Sequence, residues 1–289
     1  MKNNKTCICI LSARVNMLPT CLTNYCQHVE DRHDLYIYQF GNIYNEQAKQ
    51  KIKDIYGSNV KFITLDPQVP EFIPESEMFY NRKHNAYAKH NFPKSRLNYL
   101  HMCSFLSWEL FERPEIQNYE YVIRFDDDSW FKKPLGFNLL DKYMKESEKN
   151  SLFCLNSYFW GEGNQYNSNH KNTRESLWVC TKAFLLENKI KPKDKKLLQA
   201  IENDDEEMFH KMGWKSDLSI WKLSSFKHES WKTWTDYIKK TGGVYRHRWG
   251  CCEIHHLYGR IYFENGVRDL KLTEKDLYYG HLPNFYIIK

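Results

Sequence analysis

Tyr119–Asp128, with the sequence YEYVIRFDDD, gives the clearest indication of the fold. Its apolar residues form the pattern of a buried strand, which runs directly into three consecutive carboxylates. In open α/β sheets, ligands bind beyond the carboxyl ends of the strands. Adjacent carboxylates repel one another unless a cation neutralises them. The stretch therefore predicts an α/β sheet in which this strand ends at a cation site.

The spacing of the three carboxylates suggests which of them bind the ion. Side chains at i and i+2 of an extended segment point the same way, so Asp126 and Asp128 are predicted to converge while Asp127 points elsewhere. Oxygen ligands favour Mg²⁺ or Mn²⁺, ions that keep coordination positions open for substrate phosphates. His281, in YYGHLP, is a candidate third ligand. The alternative is an acidic turn or helix cap that binds no metal.

The residues before this stretch alternate between strand and helix patterns. Strands are predicted at Thr6–Ala13, Asp34–Phe40 and Val60–Leu65, with a helix at Glu46–Tyr56. Residues 66–92 lack periodicity and are interpreted as a long loop bordering a site. Apolar residues at near-helical spacing from Leu97 to Phe111 then predict an amphipathic helix. This order is typical of a mostly parallel sheet flanked by helices.

The residues after Asp128 show a less regular pattern. Helices are predicted at Leu139–Lys149, Ser176–Glu187, Lys195–Met212, Trp231–Lys240 and Trp249–Tyr262, and strands at Leu152–Phe159 and Leu218–Leu223. Neither an internal repeat nor a linker is visible in the sequence. We therefore expect one domain over residues 1–289.

Composition narrows the class of protein. The 42 basic and 36 acidic residues give a net charge of +6, and because they are interleaved we expect no nucleic-acid partner. No apolar run approaches the ~20 residues of a bilayer span, and the start reads as a strand rather than a signal peptide. Nine cysteines, an odd number, exclude complete pairing. A reducing, cytoplasmic location is therefore expected.

Three blocks of the sequence resemble one enzyme family. They are Tyr99–Cys103 with the following YEYVIRFDDDSWF, Thr241–His255 (TGGVYRHRWGCCEIH), and DLYYGHLP near the end. In order and separation they are similar to blocks of the fungal α-1,2-mannosyltransferases of glycosyltransferase family 15. The family is normally anchored in the Golgi, so a truncated chain would belong to the Golgi lumen.

The resemblance implies a GT-A fold, which is a single Rossmann-like domain that binds a nucleotide sugar. Residues 1–128 would form the nucleotide-sugar half and residues 129–289 the acceptor half. The implied reaction is metal-dependent transfer of mannose from GDP-mannose to a glycan or glycoprotein hydroxyl, with retention and with Mn²⁺ (or Mg²⁺).

The resemblance also implies roles for individual residues. Asp126, Asp128 and His281 become the metal ligands. Arg14, Tyr99, Arg124 and Asp126 become the residues that bind the nucleotide sugar.

The sequence departs from the family at the catalytic carboxylate. Ser219 stands where the family has a glutamate, and Asp217 lies two residues earlier. Cys251 replaces an aspartate of the family. Asp217, Ser219 and Glu253 are therefore the catalytic candidates. A different nucleotide sugar and an inverting outcome, for which Asp217 or Glu253 would act as the base, stay open.

Other functions are compatible with parts of the sequence. Cys251, Cys252, His255 and His256 form two i, i+4 pairs that could hold zinc, although separated ligand knuckles are missing. Trp160 and Trp249 are candidates for stacking on the acceptor sugar. The protein could also be a carbohydrate-binding protein without catalysis, which would use its many aromatic residues and its positive charge. A phosphotransferase with Asp126 as nucleophile is disfavoured, because the Thr or Val typical of such motifs is absent.

Overall fold

The computed structural model describes residues 5–30, 32–79, 95–149, 154–159, 168–210, 214–264, 266–269 and 279–281. Within these ranges no helix has the length and hydropathy that a bilayer span requires.

The described residues form nine strands and eleven α-helical segments. The strands are β1 (Thr6–Leu11), β2 (Asp34–Phe40), β3 (Val60–Leu65), β4 (Tyr121–Phe125), β5 (Ser129–Phe131), β6 (Cys154–Phe159), β7 (Trp214–Lys222), β8 (Val267–Asp269) and β9 (Tyr279–His281). The helices are α1 (Leu18–His28), α2 (Glu46–Tyr56), α3 (Ser95–Ser104), α4 (Leu110–Glu112), α5 (Leu139–Lys149), α6 (Ser168–Glu187), α7 (Lys195–Glu202), α8 (Glu206–His210), α9 (Glu229–Thr241), α10 (Gly243–His247) and α11 (Cys251–Tyr262).

Seven of the described strands form one sheet in the order β3-β2-β1-β4-β7-β6-β8. Strands β3, β2, β1 and β4 are parallel, and β7 runs antiparallel to β4 and β6. Strand β1 pairs with β2 on one side and β4 on the other, so the chain reverses its direction of winding at β1 and β4. In open α/β sheets the crevice at such a switch point is the place where ligands bind.

Alternating side chains of the central strands divide the core into two layers. Cys7 and Cys9 of β1 pack with α3, α9 and α11 on one face. Ile8 and Ile10 pack with α1, α2 and α5 on the other. Since successive residues of a strand point to opposite faces, β1 is apolar on both sides, as expected for a covered parallel strand.

The predicted helix from Leu97 to Phe111 is present but is not uniformly α-helical. Between α3 and α4, residues Phe105–Glu109 form a π-helical turn. The carbonyl of Ser107 in this turn accepts a hydrogen bond from Nε2 of His255 in α11, at 3.0 Å. π-Helical turns leave the regular hydrogen-bond ladder, so a buried donor from another helix stabilises this one.

His255 provides a prediction about acid stability. Its imidazole is 1% exposed, and burial lowers its pKa from 6.5 to about 4. The unfolded chain therefore binds more protons than the folded chain below 6.5, and stability falls as pH drops towards 4. Between about pH 7 and about pH 5 the expected loss from His255 is about 2 kcal/mol.

Urea denaturation at these two pH values measures the effect. The loss should shrink in His255→Gln and persist in the control His228→Gln, whose side chain is exposed. An equal loss in His255→Gln and the wild type would contradict the assignment.

Most predicted elements are confirmed, and the differences lie at boundaries. The predicted helix Lys195–Met212 is two helices, α7 and α8, because Asp204 adopts φ 49° between them. The predicted helix Ser176–Glu187 begins earlier, at Ser168. The predicted strand at Leu218 begins earlier, at Trp214.

Candidate active site

The three carboxylates that follow β4 lie in a turn rather than an extended segment. The amide of Ser129 donates to the carbonyl of Asp126 at 3.1 Å, and the amide of Asp126 donates to the carbonyl of Asp217 in β7 at 3.0 Å. The prediction of an extended i, i+2 arrangement is therefore wrong. The side chains of Asp127 and Asp128 meet Arg14 in the loop after β1, whereas the side chain of Asp126 pairs with Arg124 of β4.

Asp127 anchors the loop that follows β1. Its Oδ2 accepts hydrogen bonds from the hydroxyl of Ser12 (2.9 Å), the amide of Ala13 (2.9 Å) and the amide of Arg14 (3.0 Å). Its Oδ1 accepts from the Arg14 guanidinium at 2.6 Å. Charge-assisted bonds of this kind are about twice as strong as neutral ones. Asp127 thus fixes the backbone of the neighbouring loop, and it shares Arg14 with Asp128, whereas the prediction grouped Asp128 with Asp126.

Arg14 bridges two of the carboxylates. Its Nη1 lies 2.6 Å from Oδ1 of Asp127 and 2.7 Å from Oδ2 of Asp128. Partial burial lowers the pKa of the guanidinium, but Asp127, Asp128 and Asp126 raise it more, so that it lies above its ordinary value. The two carboxylates are almost buried while the Arg14 side chain is 48% exposed. Arg14 was predicted to bind the nucleotide, and the structure places its guanidinium beside two carboxylates of the acidic turn.

A second group of predicted residues lies on one face of the sheet. Arg124 pairs in register with Ser219, so the two side chains share a face, and Asp126 and Asp217 continue it. Arg124 forms an ion pair with Asp126. Burial lowers the pKa of Arg124, but Asp126, Cys251 and Asp217, among others, raise it well above its ordinary value. The buried guanidinium thus stabilises two carboxylates of opposite strands.

The third group lies where α3 meets the end of α10. The Arg248 guanidinium lies 4.9 Å from the ring centroid of Tyr99 and donates to its hydroxyl at 3.4 Å. Cys103 and burial raise the pKa of the Tyr99 hydroxyl, and the charge of Glu253 adds to this. Glu253 lies in the first turn of α11, where the helix dipole favours an acidic side chain. The charge of Glu253, which was predicted separately, thus acts on the Tyr99 hydroxyl.

Strand β9 brings the end of the chain to the acidic turn. His281 pairs in register with Ser129, the residue after Asp128. The hydroxyl of Tyr279 bonds to the hydroxyl of Ser129 at 2.6 Å and donates to the carbonyl of Asp217 at 3.1 Å. The backbone of His281 is therefore beside Asp128, as a third ligand requires.

The donor set at the turn fits a hard divalent cation. Asp126 and Asp128 offer carboxylate oxygens, which Mg²⁺ and Mn²⁺ prefer. Among the residues whose side chains are described, however, no group of three Cys, His, Asp or Glu side chains converges on one point. The same finding disfavours zinc at Cys251, Cys252, His255 and His256.

The structure also decides the role of one predicted aromatic residue. Trp249 is 3% exposed, and its Nε1 donates to the hydroxyl of Ser176 at 2.9 Å. A Cβ at Gly243 would lie 2.1 Å from the Trp249 ring, so the glycine is needed for this packing. Trp249 is a core residue rather than a platform for sugar, and Trp160 lies outside the described residues.

Sequence reasoning missed two residues of the site. Arg248 adopts the left-handed conformation, φ 62°, which is uncommon for residues other than Gly and is often found at functional sites. Its position within TGGVYRHRWGCCEIH was the available signal. Asp127 was not predicted to be a site residue, because the i, i+2 argument gave it no role as a ligand. In the structure it makes four hydrogen bonds to the loop after β1.

Comparison with known sequences identifies relatives of this chain. The sequence profile of the family described as glycolipid 2-alpha-mannosyltransferase matches residues 2–271. KTR3, a probable mannosyltransferase of Saccharomyces cerevisiae, is 24% identical over 252 residues, which are 84% of this chain and 59% of KTR3. Glycolipid 2-alpha-mannosyltransferase 1 of Candida albicans is 22% identical over 270 residues, which are 91% of this chain and 59% of that protein. The chain thus spans about three fifths of the length of these relatives.

Comparison with solved structures confirms the GT-A fold. Core-mannan synthase A (CmsA/Ktr4) of Aspergillus fumigatus, in its Mn/GDP form, superposes with a TM-score of 0.77 at 15% identity, covering 97% of this chain and 75% of that one. The mannosyltransferase Ktr4p of S. cerevisiae, in complex with GDP, gives 0.75 at 18% identity, with 96% and 71% covered. Because the family profile also matches nearly the whole sequence, this chain belongs to the glycolipid 2-alpha-mannosyltransferase family.

Proposed function

We propose that this chain is a glycosyltransferase that moves a mannosyl group from GDP-mannose to a hydroxyl of a glycan or glycoconjugate. One observation carries the proposal: Arg14 forms ion pairs with the carboxylates of Asp127 and Asp128 at the switch point between β1 and β4. Family membership supports the mannosyl group. The Mn/GDP form of the Aspergillus relative supports the nucleotide and a divalent cation.

Asp126, Asp128 and His281 are proposed to hold the cation. Bound there, a divalent cation would supply Lewis-acid stabilisation of the diphosphate leaving group. The loop after β1 would bind the diphosphate, because Arg14 is half-exposed at the strand ends and presents a charge of opposite sign. Arg124 is buried against Asp126 and Asp217 and would keep both carboxylates ionised and oriented.

Tyr99 and Arg248 are proposed to line the sugar. Tyr99 is 40% exposed, and the Arg248 guanidinium beside its ring fixes its orientation. In a retaining reaction the departing phosphate accepts the proton of the acceptor hydroxyl, and no separate base is required. This outcome is compatible with Ser219 at the position of the family's glutamate. In an inverting reaction, Asp217 or Glu253 would have to accept the proton.

A panel of nucleotide sugars tests the donor. Purified protein is incubated with GDP-mannose, GDP-fucose, UDP-glucose, UDP-galactose and UDP-N-acetylglucosamine, with Mn²⁺, with Mg²⁺ or with EDTA. Release of the nucleoside diphosphate and the thermal shift are measured. We expect GDP-mannose with Mn²⁺ to give the largest thermal shift. It should also release the nucleoside diphosphate about tenfold or more faster than the UDP-sugars do, because the site is proposed to recognise the base.

The other outcomes of this panel separate the alternatives. A stronger response to another donor would replace GDP-mannose while keeping the reaction class. Equal rates in Mn²⁺ and EDTA would overturn the metal requirement. Binding of mannosides without response to any donor would favour a non-catalytic carbohydrate-binding protein. The anomeric configuration of the product, measured by NMR, separates retention from inversion.

A further inference from the structure

Arg14 and the proposed metal compete for the same carboxylate. Oδ2 of Asp128 lies 2.7 Å from Nη1 of Arg14, a distance at which the guanidinium occupies the space in front of that oxygen. The side chain of Asp128 is only 7% exposed, so an ion has few other directions of approach. A cation bound to this oxygen would also lie within a few ångströms of a positive charge, which is repulsive.

Asp127 holds Arg14 in a different way. Its Oδ2 binds the amides of Ala13 and Arg14 and the hydroxyl of Ser12. These contacts belong to the loop before the Arg14 side chain and do not depend on where the guanidinium points. The loop can therefore keep its position while the guanidinium leaves Asp128. Because the Arg14 side chain is 48% exposed, it has room to move.

We propose that Arg14 is a resident counter-cation of Asp128, which a divalent cation displaces, and that Asp127 keeps the displaced guanidinium beside the site. The proposal rests on the proposed function, since it needs a metal at Asp128. It makes Asp127 a positioning residue, acting through the loop. It also assigns Arg14 two successive partners, first the Asp128 carboxylate and then an anionic group of the nucleotide.

This exchange of Arg14 for a divalent cation at Asp128 is tested by metal binding without nucleotide. Without the diphosphate, the measured affinity reports only on the contacts between the metal and the protein. The affinity for Mn²⁺ is measured by electron paramagnetic resonance on the wild type, Arg14→Ala, Arg14→Gln and Arg14→Lys. Loss of the competing charge should tighten Mn²⁺ binding by about tenfold or more in Arg14→Ala and Arg14→Gln. Arg14→Lys keeps the charge and should stay within about threefold of the wild type.

A matched control accounts for net charge. Lys182→Ala also removes one positive charge, from an ion pair with Asp204 on the surface (2.6 Å), and should leave Mn²⁺ affinity unchanged. Thermal melts give a second readout that is independent of activity. Without metal, Arg14→Ala should melt about 3 °C or more below the wild type, because the carboxylates lose their counter-cation, and Mn²⁺ should remove most of this difference.

The results distinguish two kinds of failure. If the wild type binds Mn²⁺ but Arg14→Ala and Arg14→Gln bind it equally or more weakly, Arg14 does not compete and this inference is overturned alone. If the wild type does not bind Mn²⁺ without nucleotide, the exchange is overturned, while the comparison of Mn²⁺ with EDTA in the donor panel still decides the metal requirement of the proposed function. Tighter binding in both uncharged variants, with Arg14→Lys unchanged, supports the exchange.

Discussion

Replacing Asp128 with Asn is expected to reduce sugar transfer by about 10³-fold or more, because a metal that stabilises the leaving group contributes several kcal/mol to the transition state. Asn has nearly the same shape as Asp, but its amide lacks the negative charge that a hard divalent cation requires. Initial rates of product formation at saturating GDP-mannose and Mn²⁺ measure the effect. Asp128→Ala should lose as much.

The fold should survive this substitution. The loop after β1 is held by Asp127 through four hydrogen bonds, which do not involve Asp128. The melting temperature of Asp128→Asn should therefore stay within about 3 °C of the wild type. Asp204→Asn, which removes a carboxylate on the surface, is the matched control and should keep full activity. Wild-type rates in Asp128→Asn with metal present would show that Asp128 is not a ligand.

Replacing Asp217 with Asn is expected to lower kcat by about 10²–10⁴-fold, the range that a positioned carboxylate contributes to proton transfer or charge stabilisation. The Asp217 side chain is buried and contributes to the raised pKa of Arg124. It lies on the sheet face that also carries Asp126. It is thus the described carboxylate nearest in sequence to the position where the family has its glutamate.

Ser219→Ala is the matched comparison. Ser219 is fully buried in the middle of β7, between Arg124 of β4 and Asn156 of β6. A hydroxyl without access to the substrate should contribute less than about fivefold to kcat. The assignment predicts unequal effects, with a large loss for Asp217→Asn and a small one for Ser219→Ala. The reverse order would transfer the catalytic role to the position of Ser219, and equal small losses would leave Glu253 as the remaining candidate.

The local patterns of the sequence were sufficient for the framework of the fold. Period-two and apolar runs predicted β1, β2, β3 and β4, and helical spacing predicted α2 and the helix that precedes β4. These patterns are informative because the residues on the buried face of a strand or helix recur at a fixed spacing along the chain. The same reasoning found the three carboxylates after β4, since polar residues at the end of a buried strand are conspicuous.

The partners of those carboxylates were decided only by the tertiary structure. Asp127 binds the β1 loop 113 to 115 residues away in sequence, because β1 and β4 are neighbours at the switch point of the sheet. The π-helical turn is likewise tied to His255, 148 residues from Ser107. Neither contact has a local signature, since each depends on strand order and helix packing.

Arg248 illustrates the same limit at a single residue. Nothing in its residue type indicates a left-handed backbone, which Gly or Asn would have indicated. The conformation is imposed where α10 ends and Trp249 packs on Gly243, and it places the guanidinium over Tyr99. The sequence by itself thus determined which chemical groups lie at the ends of the strands. The tertiary structure decided which groups meet, because the packing energy that fixes them comes from residues far apart in the chain.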